Sequence, residues 1–128
     1  MIGMISWFEK YNKVSWIITI LITIVIFYIS SITFDSSSGK NSINAILYHI
    51  IAFFFFALFL SISSIKGEKE SLIFLVFIIS IIYGGLDEFH QFFVPGRYFS
   101  ISDIFLDTAG ISLALIFYIS LIEYRRIN

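Results

Sequence analysis

The chain has 128 residues, of which 59% are hydrophobic and only 13% charged, with a net charge of −1, and its mean hydropathy is +0.95. A soluble domain carries about 25% charged residues, so this composition does not cover a water-facing surface, and the length permits one domain. The near-neutral balance, with no basic stripe, excludes nucleic-acid binding, and the lack of cysteine excludes disulfides, thiolate metal sites and a Cys nucleophile.

Residues 1–13 form a short amphipathic lead, with Trp7 and Tyr11, and Trp16 just beyond, as interfacial aromatics. Residues 14–34 contain no charge. At 1.5 Å rise, about 20 residues cross the ~30 Å hydrocarbon core. The run is too long for a signal-peptide core and no A-x-A-like site follows it, so an uncleaved helix is expected. Residues 35–42 (DSSSGKNS) are a polar loop. Residues 43–65 are a second span, interrupted by Asn44 and His49, and residues 66–71 (KGEKES) are a charged turn. The apolar run 72–86 covers only about 22 Å, so its helix is expected to extend to residue 91 and carry Asp87, Glu88, His90 and Gln91 to the bilayer edge. Pro95-Gly96 suits the centre of a type II turn. Residues 103–122 are the fourth span, with Asp107 about one turn inside it, and a polar tail follows.

The expected fold is all-α, a membrane four-helix bundle with helices at about 14–34, 43–65, 72–91 and 103–122, in one domain over residues 1–128. Lys10, Lys13, Lys66, Lys69, Arg125 and Arg126 lie on one side of this topology, against Lys40 and Arg97 on the other. The positive-inside bias puts both termini in the cytoplasm. The connections after spans one and three then face outward, and His49 lies near the outer surface.

Ionisable groups beside lipid are costly and mark function by default. Here they gather in one stretch, residues 83–110, YGGLDEFHQFFVPGRYFSISDIFLDTAG. Ser80, Gly84, Asp87 and Gln91 share one stripe of span three; Asp103, Asp107, Gly110 and Ala114 share one of span four. Small residues let membrane helices approach closely, so the two stripes are expected to pack together, with His49 nearby. The candidate polar site is His49, Asp87, Glu88, His90, Gln91, Arg97, Asp103 and Asp107, at the outer face between helices 3 and 4. Each residue also has a plainer role: Ser100-x-x-Asp103 fits a capping box, Arg97 can pair with Glu88 or Asp103 to hold the loop, His90 can bond a carboxylate at the interface, and His49 can make one interhelical hydrogen bond. Asp107 lies too deep to cap. Carboxylates with two His are also a donor set for a divalent cation, although the spacing matches no metal signature, and GxSxG, Walker A, HExxH and EF-hand patterns are absent. No cofactor is otherwise indicated.

Tyr83-Gly84-Gly85-Leu86-Asp87-Glu88-Phe89-His90-Gln91, then Pro95-Gly96-Arg97, Ser102-Asp103 and Asp107-Thr108-Ala109-Gly110, with Tyr28-Ile29-Ser30-Ser31 and Tyr48-His49 earlier, resemble the VanZ-like family of small membrane proteins. Asp107 departs from the family pattern, where Asn is frequent. The resemblance implies a multi-pass protein of the bacterial cytoplasmic membrane, associated with low-level resistance to glycopeptide antibiotics such as teicoplanin. It supplies no mechanism and no catalytic residues. Three functions stand beside each other. The first is a non-enzymatic factor in contact with membrane lipid that binds a lipid-linked cell-wall precursor or an acylated glycopeptide. The second is a small hydrolase or transferase acting on a lipid-linked head group, using paired carboxylates or a metal. The third is a proton- or cation-coupled carrier.

Overall fold

The computed structural model describes residues 1–33 and 43–128, so the loop expected at 35–42, and the last residue of the first expected span, lie outside the described residues. It is all-helical. A short α1 (Ile2–Lys10) is followed by α2 (Asn12–Ser30), α3 (Ile43–Ile65), a 3-10 turn (Glu70–Leu72), α4 (Ile73–Gln91) and α5 (Ile101–Ile127). Four helical stretches are long and apolar enough to cross a membrane: Asn12–Ser30, Ile43–Ile65, Glu70–Gln91 and Ile101–Ile127. The fourth runs beyond both ends of the expected 103–122. It starts earlier because Ser100 is an N-cap, its Oγ accepting from the Asp103 N–H.

Burial follows lipid rather than water. The outward faces carry Ile17, Ile20, Ile24, Phe74, Ile82, Phe105 and Ile116. Small and hydroxylated residues turn inward. In α2 the buried residues are Ser15, Thr19, Ile26 and Ser30, spaced by four, seven and four along one stripe. Their hydroxyls are satisfied locally: Ser15 donates to Phe8 O at 2.7 Å and Thr19 to Ser15 O at 2.9 Å. With no water in the bilayer core, such internal pairing is required.

α3 is the central helix, touching α2, α4 and α5, and its broadest contact is with α5. Phe53, Ala57, Ser61 and Ile65 are fully buried along its axis. The α3–α5 seam is closest at Gly110. A Cβ there would meet the α3 backbone, at 3.1 Å from both Ile50 C and Phe54 N and nearer still to Ile50 O. Gly110 was expected to face α4; it serves α3 instead. Gly84 of α4 does face α5, where an added Cβ would lie 3.3 Å from Asp107 Oδ2.

The two ends of the bundle differ. At the end formed by α1, the α3–α4 turn and the C-terminal part of α5, Arg125 grips Glu9 through two hydrogen bonds of 2.6 and 2.8 Å. Tyr118 OH donates to Glu9 Oε1 at 2.6 Å and accepts from the Gly67 N–H at 3.0 Å. Lys66 and Gly67 have φ of +55° and +69°, a conformation that glycine adopts readily. Arg126 joins Glu123 and Glu70 on the surface beside them. The other end holds the polar stretch singled out above.

Candidate functional site

At that second end, the C-terminal part of α4 and the N-terminal part of α5 face the start of α3. The stripe Ser80, Gly84, Asp87 and Gln91 is buried throughout, and Glu88 is buried beside it. From α5, Asp107, Gly110 and Ala114 are buried. Asp103 is half-buried, with 26% of its side chain accessible. The Asp107 side chain is 1% exposed.

Two linked networks occupy the space. The first is built on Gln91. Its amide nitrogen donates to Asp87 Oδ2 at 3.1 Å and Glu88 Oε1 at 3.2 Å. Its oxygen accepts from Arg97 Nε and Nη2 at 3.1 and 2.8 Å. The amide of Gln91 thus links the Arg97 guanidinium to the carboxylates of Asp87 and Glu88. A type II-like turn aims Arg97: Gly96 has φ +78° and the Arg97 N–H closes on Val94 O at 3.0 Å.

The second network is built on His49. Its Nδ1 donates to Asp107 Oδ1 at 2.8 Å, and its Nε2 lies 3.8 Å from Asp103 Oδ2. Glu88 completes this group: His49, Glu88 and Asp103 each offer one donor atom, all within 4.8 Å of one another. Glu88 also explains a departure from the expected capping box. Ser100 Oγ accepts from the Asp103 N–H at 3.3 Å, which is half of the box. The Ser100 N–H, however, donates to Glu88 Oε2 at 3.0 Å. A carboxylate from α4 thus takes the place that Asp103 would fill, and the Asp103 carboxylate turns to His49.

Several polar atoms in this region are buried without a hydrogen-bond partner among the described residues: Tyr48 OH, Ser80 Oγ, Asp87 Oδ1 and Asp107 Oδ2. Buried polar atoms are normally paired, and each exception needs a cause. His90 stands apart from the carboxylates. It shares a 2.9 Å hydrogen bond with Ser31 Oγ and stacks on Phe27 at 4.4 Å, joining α4 to α2.

The Glu9–Tyr118–Arg125 clasp at the opposite end was not anticipated from the sequence. Glu9 lay within an amphipathic lead and Tyr118 among many aromatics. The opposite charges of Glu9 and Arg125, both on one side of the expected topology, were the available signal.

Four helices long and apolar enough to cross a membrane, with a buried carboxylate–histidine cluster at one end of the bundle, define a multi-pass α-helical membrane protein. The chain belongs to the VanZ/LLP1 family, whose model matches residues 14–123, a stretch that holds the whole polar cluster and most of the four spans. No curated protein and no solved structure matches it.

Proposed function

We propose that this protein acts, as one VanZ-like domain, as a cell-envelope factor of the bacterial cytoplasmic membrane. It holds an acylated amphiphile, a lipid-linked wall precursor or an acylated glycopeptide, at the outer face, and it thereby contributes low-level tolerance to glycopeptides such as teicoplanin. The site is His49, Asp87, Glu88, Gln91, Arg97, Asp103 and Asp107, with His90 at its α2 edge. The observation that carries this reading is the buried network at one end of the bundle, where Glu88 is 0% exposed and Asp87 and Asp107 each leave an oxygen without a partner among the described residues. Such groups are costly beside lipid and mark a ligand path. Orientation rests on charge: Lys66, Lys69, Arg125 and Arg126 lie at the opposite end, next to Lys10 and Lys13, which favours that end as cytoplasmic. An acyl chain anchors a ligand in the outer leaflet at about 0.8 kcal/mol per buried CH₂. It delivers the head group to this depth.

Susceptibility testing in a Gram-positive host decides the matter. The wild type should raise tolerance to an acylated glycopeptide more than to one without the chain. Glu88→Ala and Asp107→Ala should abolish the effect while the protein stays in the membrane. Equal protection by the wild type and both variants would detach the effect from the site. A second reading, a small hydrolase or transferase acting on a lipid-linked head group, is favoured by the convergence of donor atoms from His49, Glu88 and Asp103.

A further inference from the structure

We propose that His49 Nε2, Glu88 and Asp103 form a binding site for one divalent first-row transition ion, Zn²⁺ or Mn²⁺, with Asp107 as the residue that orients the imidazole. The site stands whichever ligand the outer face takes.

Geometry comes first. The three donor atoms lie within 4.8 Å of one another. The 3.8 Å between His49 Nε2 and Asp103 Oδ2 is too long for a hydrogen bond. Donors bound at about 2.1 Å to a tetrahedral ion sit roughly 3.4 Å apart, so the His49–Asp103 pair is already near that spacing, and the half-exposed Asp103 side chain has room to adjust. The tautomer agrees. With the Asp107 carboxylate accepting at 2.8 Å, His49 Nδ1 is the donor, and in the neutral ring Nε2 then turns its lone pair toward the two carboxylates. A metal-bound histidine characteristically hands its other N–H to a carboxylate in this way, and that partner fixes ring orientation and raises basicity. Three elements supply the donors: α3 gives His49, α4 gives Glu88 and α5 gives Asp103. Two of them have a second support that holds them in place, His49 from Asp107 and Glu88 from two donors. Glu88 accepts from the Ser100 N–H and from Gln91, and because Glu88 caps Ser100, the Asp103 carboxylate is released from capping duty. The charge balance points the same way. Two carboxylates and an imidazole nitrogen converge where Glu88 is 0% exposed and His49 is buried, and a cation bound among them offsets the two negative charges.

The donor set selects the ion. One imidazole nitrogen with two carboxylate oxygens suits Zn²⁺ or Mn²⁺, whereas Mg²⁺ and Ca²⁺ favour oxygen alone and thiolate-loving ions have nothing to bind. Three protein donors leave a coordination position open, on the side of Asp103, the most accessible of the three.

The test uses the full chain, purified in detergent on a histidine-free tag, incubated with each ion, desalted, and measured for metal by mass spectrometry and for thermal unfolding. Wild type should retain a stoichiometric Zn²⁺ or Mn²⁺ and melt higher with it. Asp103→Asn, the half-exposed position least able to disturb the fold, should lose both the ion and the shift, as should His49→Gln. Glu123→Gln at the far end should keep them, and Asp107→Asn should retain the ion with about 10- to 100-fold weaker affinity. A folded wild type that retains neither ion and is stabilised by neither would overturn the proposal. So would retention by Asp103→Asn and His49→Gln equal to wild type, or equal stabilisation by Mg²⁺ and Ca²⁺, which is the behaviour of a diffuse acidic surface.

Discussion

Replacing Gly110 with alanine should unseat the polar site without touching any of its side chains. The added Cβ would fall 3.1 Å from both Ile50 C and Phe54 N, and closer to Ile50 O. These are backbone atoms of α3, which cannot swing aside. Carbon contacts relax to about 3.5–4.0 Å, so α3 and α5 must part by about 1 Å at this level. His49 adjoins Ile50 and Asp107 is one turn before Gly110. The 2.8 Å bond between them would open toward 3.8 Å, past the limit of about 3.2 Å for a good N–H···O bond. Overpacking costs about 1–3 kcal/mol, and a buried hydrogen bond to a charged group is worth about 1.5–3 kcal/mol. A total near 3–6 kcal/mol is a large part of the ~5–15 kcal/mol that holds a typical domain. Thermal unfolding in detergent, followed by circular dichroism, should show a marked fall for Gly110→Ala. Gly84→Ala should cost under about 1 kcal/mol, because its neighbours at 3.3 Å, Phe53 Cε1 and Asp107 Oδ2, are side-chain atoms that can yield. Gly85→Ala, with nothing within 4 Å, is the control. If Gly110→Ala melts together with Gly85→Ala, the close α3–α5 seam does not set the site.

Other outcomes follow from the same geometry. Glu9→Ala strands Arg125 and the Tyr118 hydroxyl, and should cost about 3 kcal/mol, the low end for a broken buried pair, since 24% of the Arg125 side chain stays accessible. Arg126→Ala, whose side chain is 58% exposed, should cost no more than about 1 kcal/mol; equal losses in the two melting curves would contradict the assignment of the clasp. Arg97→Ala removes both donors from Gln91 Oε1 and should lower the melting temperature, whereas an unchanged curve would make Arg97 a solvated loop residue. Asp107→Asn keeps an oxygen for His49 Nδ1 and should melt closer to wild type than Asp107→Ala does; the reverse order would mean that the charge, not the acceptor, holds His49. Reporter fusions at Gly67 and Gly96 should read inside and outside respectively, and the opposite pattern would invert the proposed orientation.

The four apolar stretches were legible because bilayer thickness sets span length, and the helix through Asp87–Gln91 followed from a run too short to cross alone. Asp107 was legible as buried because it lies too deep to cap. That His49 would lie beside it was legible as well; which ring nitrogen points at Asp107 was not, since helix rotation leaves no mark on spacing. Gly110 shows the same limit: a small residue on an interior stripe can serve either neighbour, and here it serves α3. Ser100 was readable as an N-cap from its own chemistry. The substitution of Glu88 for Asp103 in the other half of the box was not, because it depends on how close α4 comes to α5. His90 reads like a carboxylate partner at one turn from Asp87, yet it lies on the α2 side of the helix, against Ser31.

The clasp joining Glu9 to Arg125 bears on how the protein is made. The two residues are 116 positions apart, so Glu9 emerges from the ribosome long before its partner exists. Until α5 has entered the bilayer, α1 has no guanidinium to meet and Gly67 has no Tyr118 hydroxyl to receive its N–H. Closure of this end therefore waits for the C-terminal part of α5. A chain stalled or truncated before Tyr118 would carry most of its apolar residues into the membrane and still display an unanswered carboxylate at the boundary.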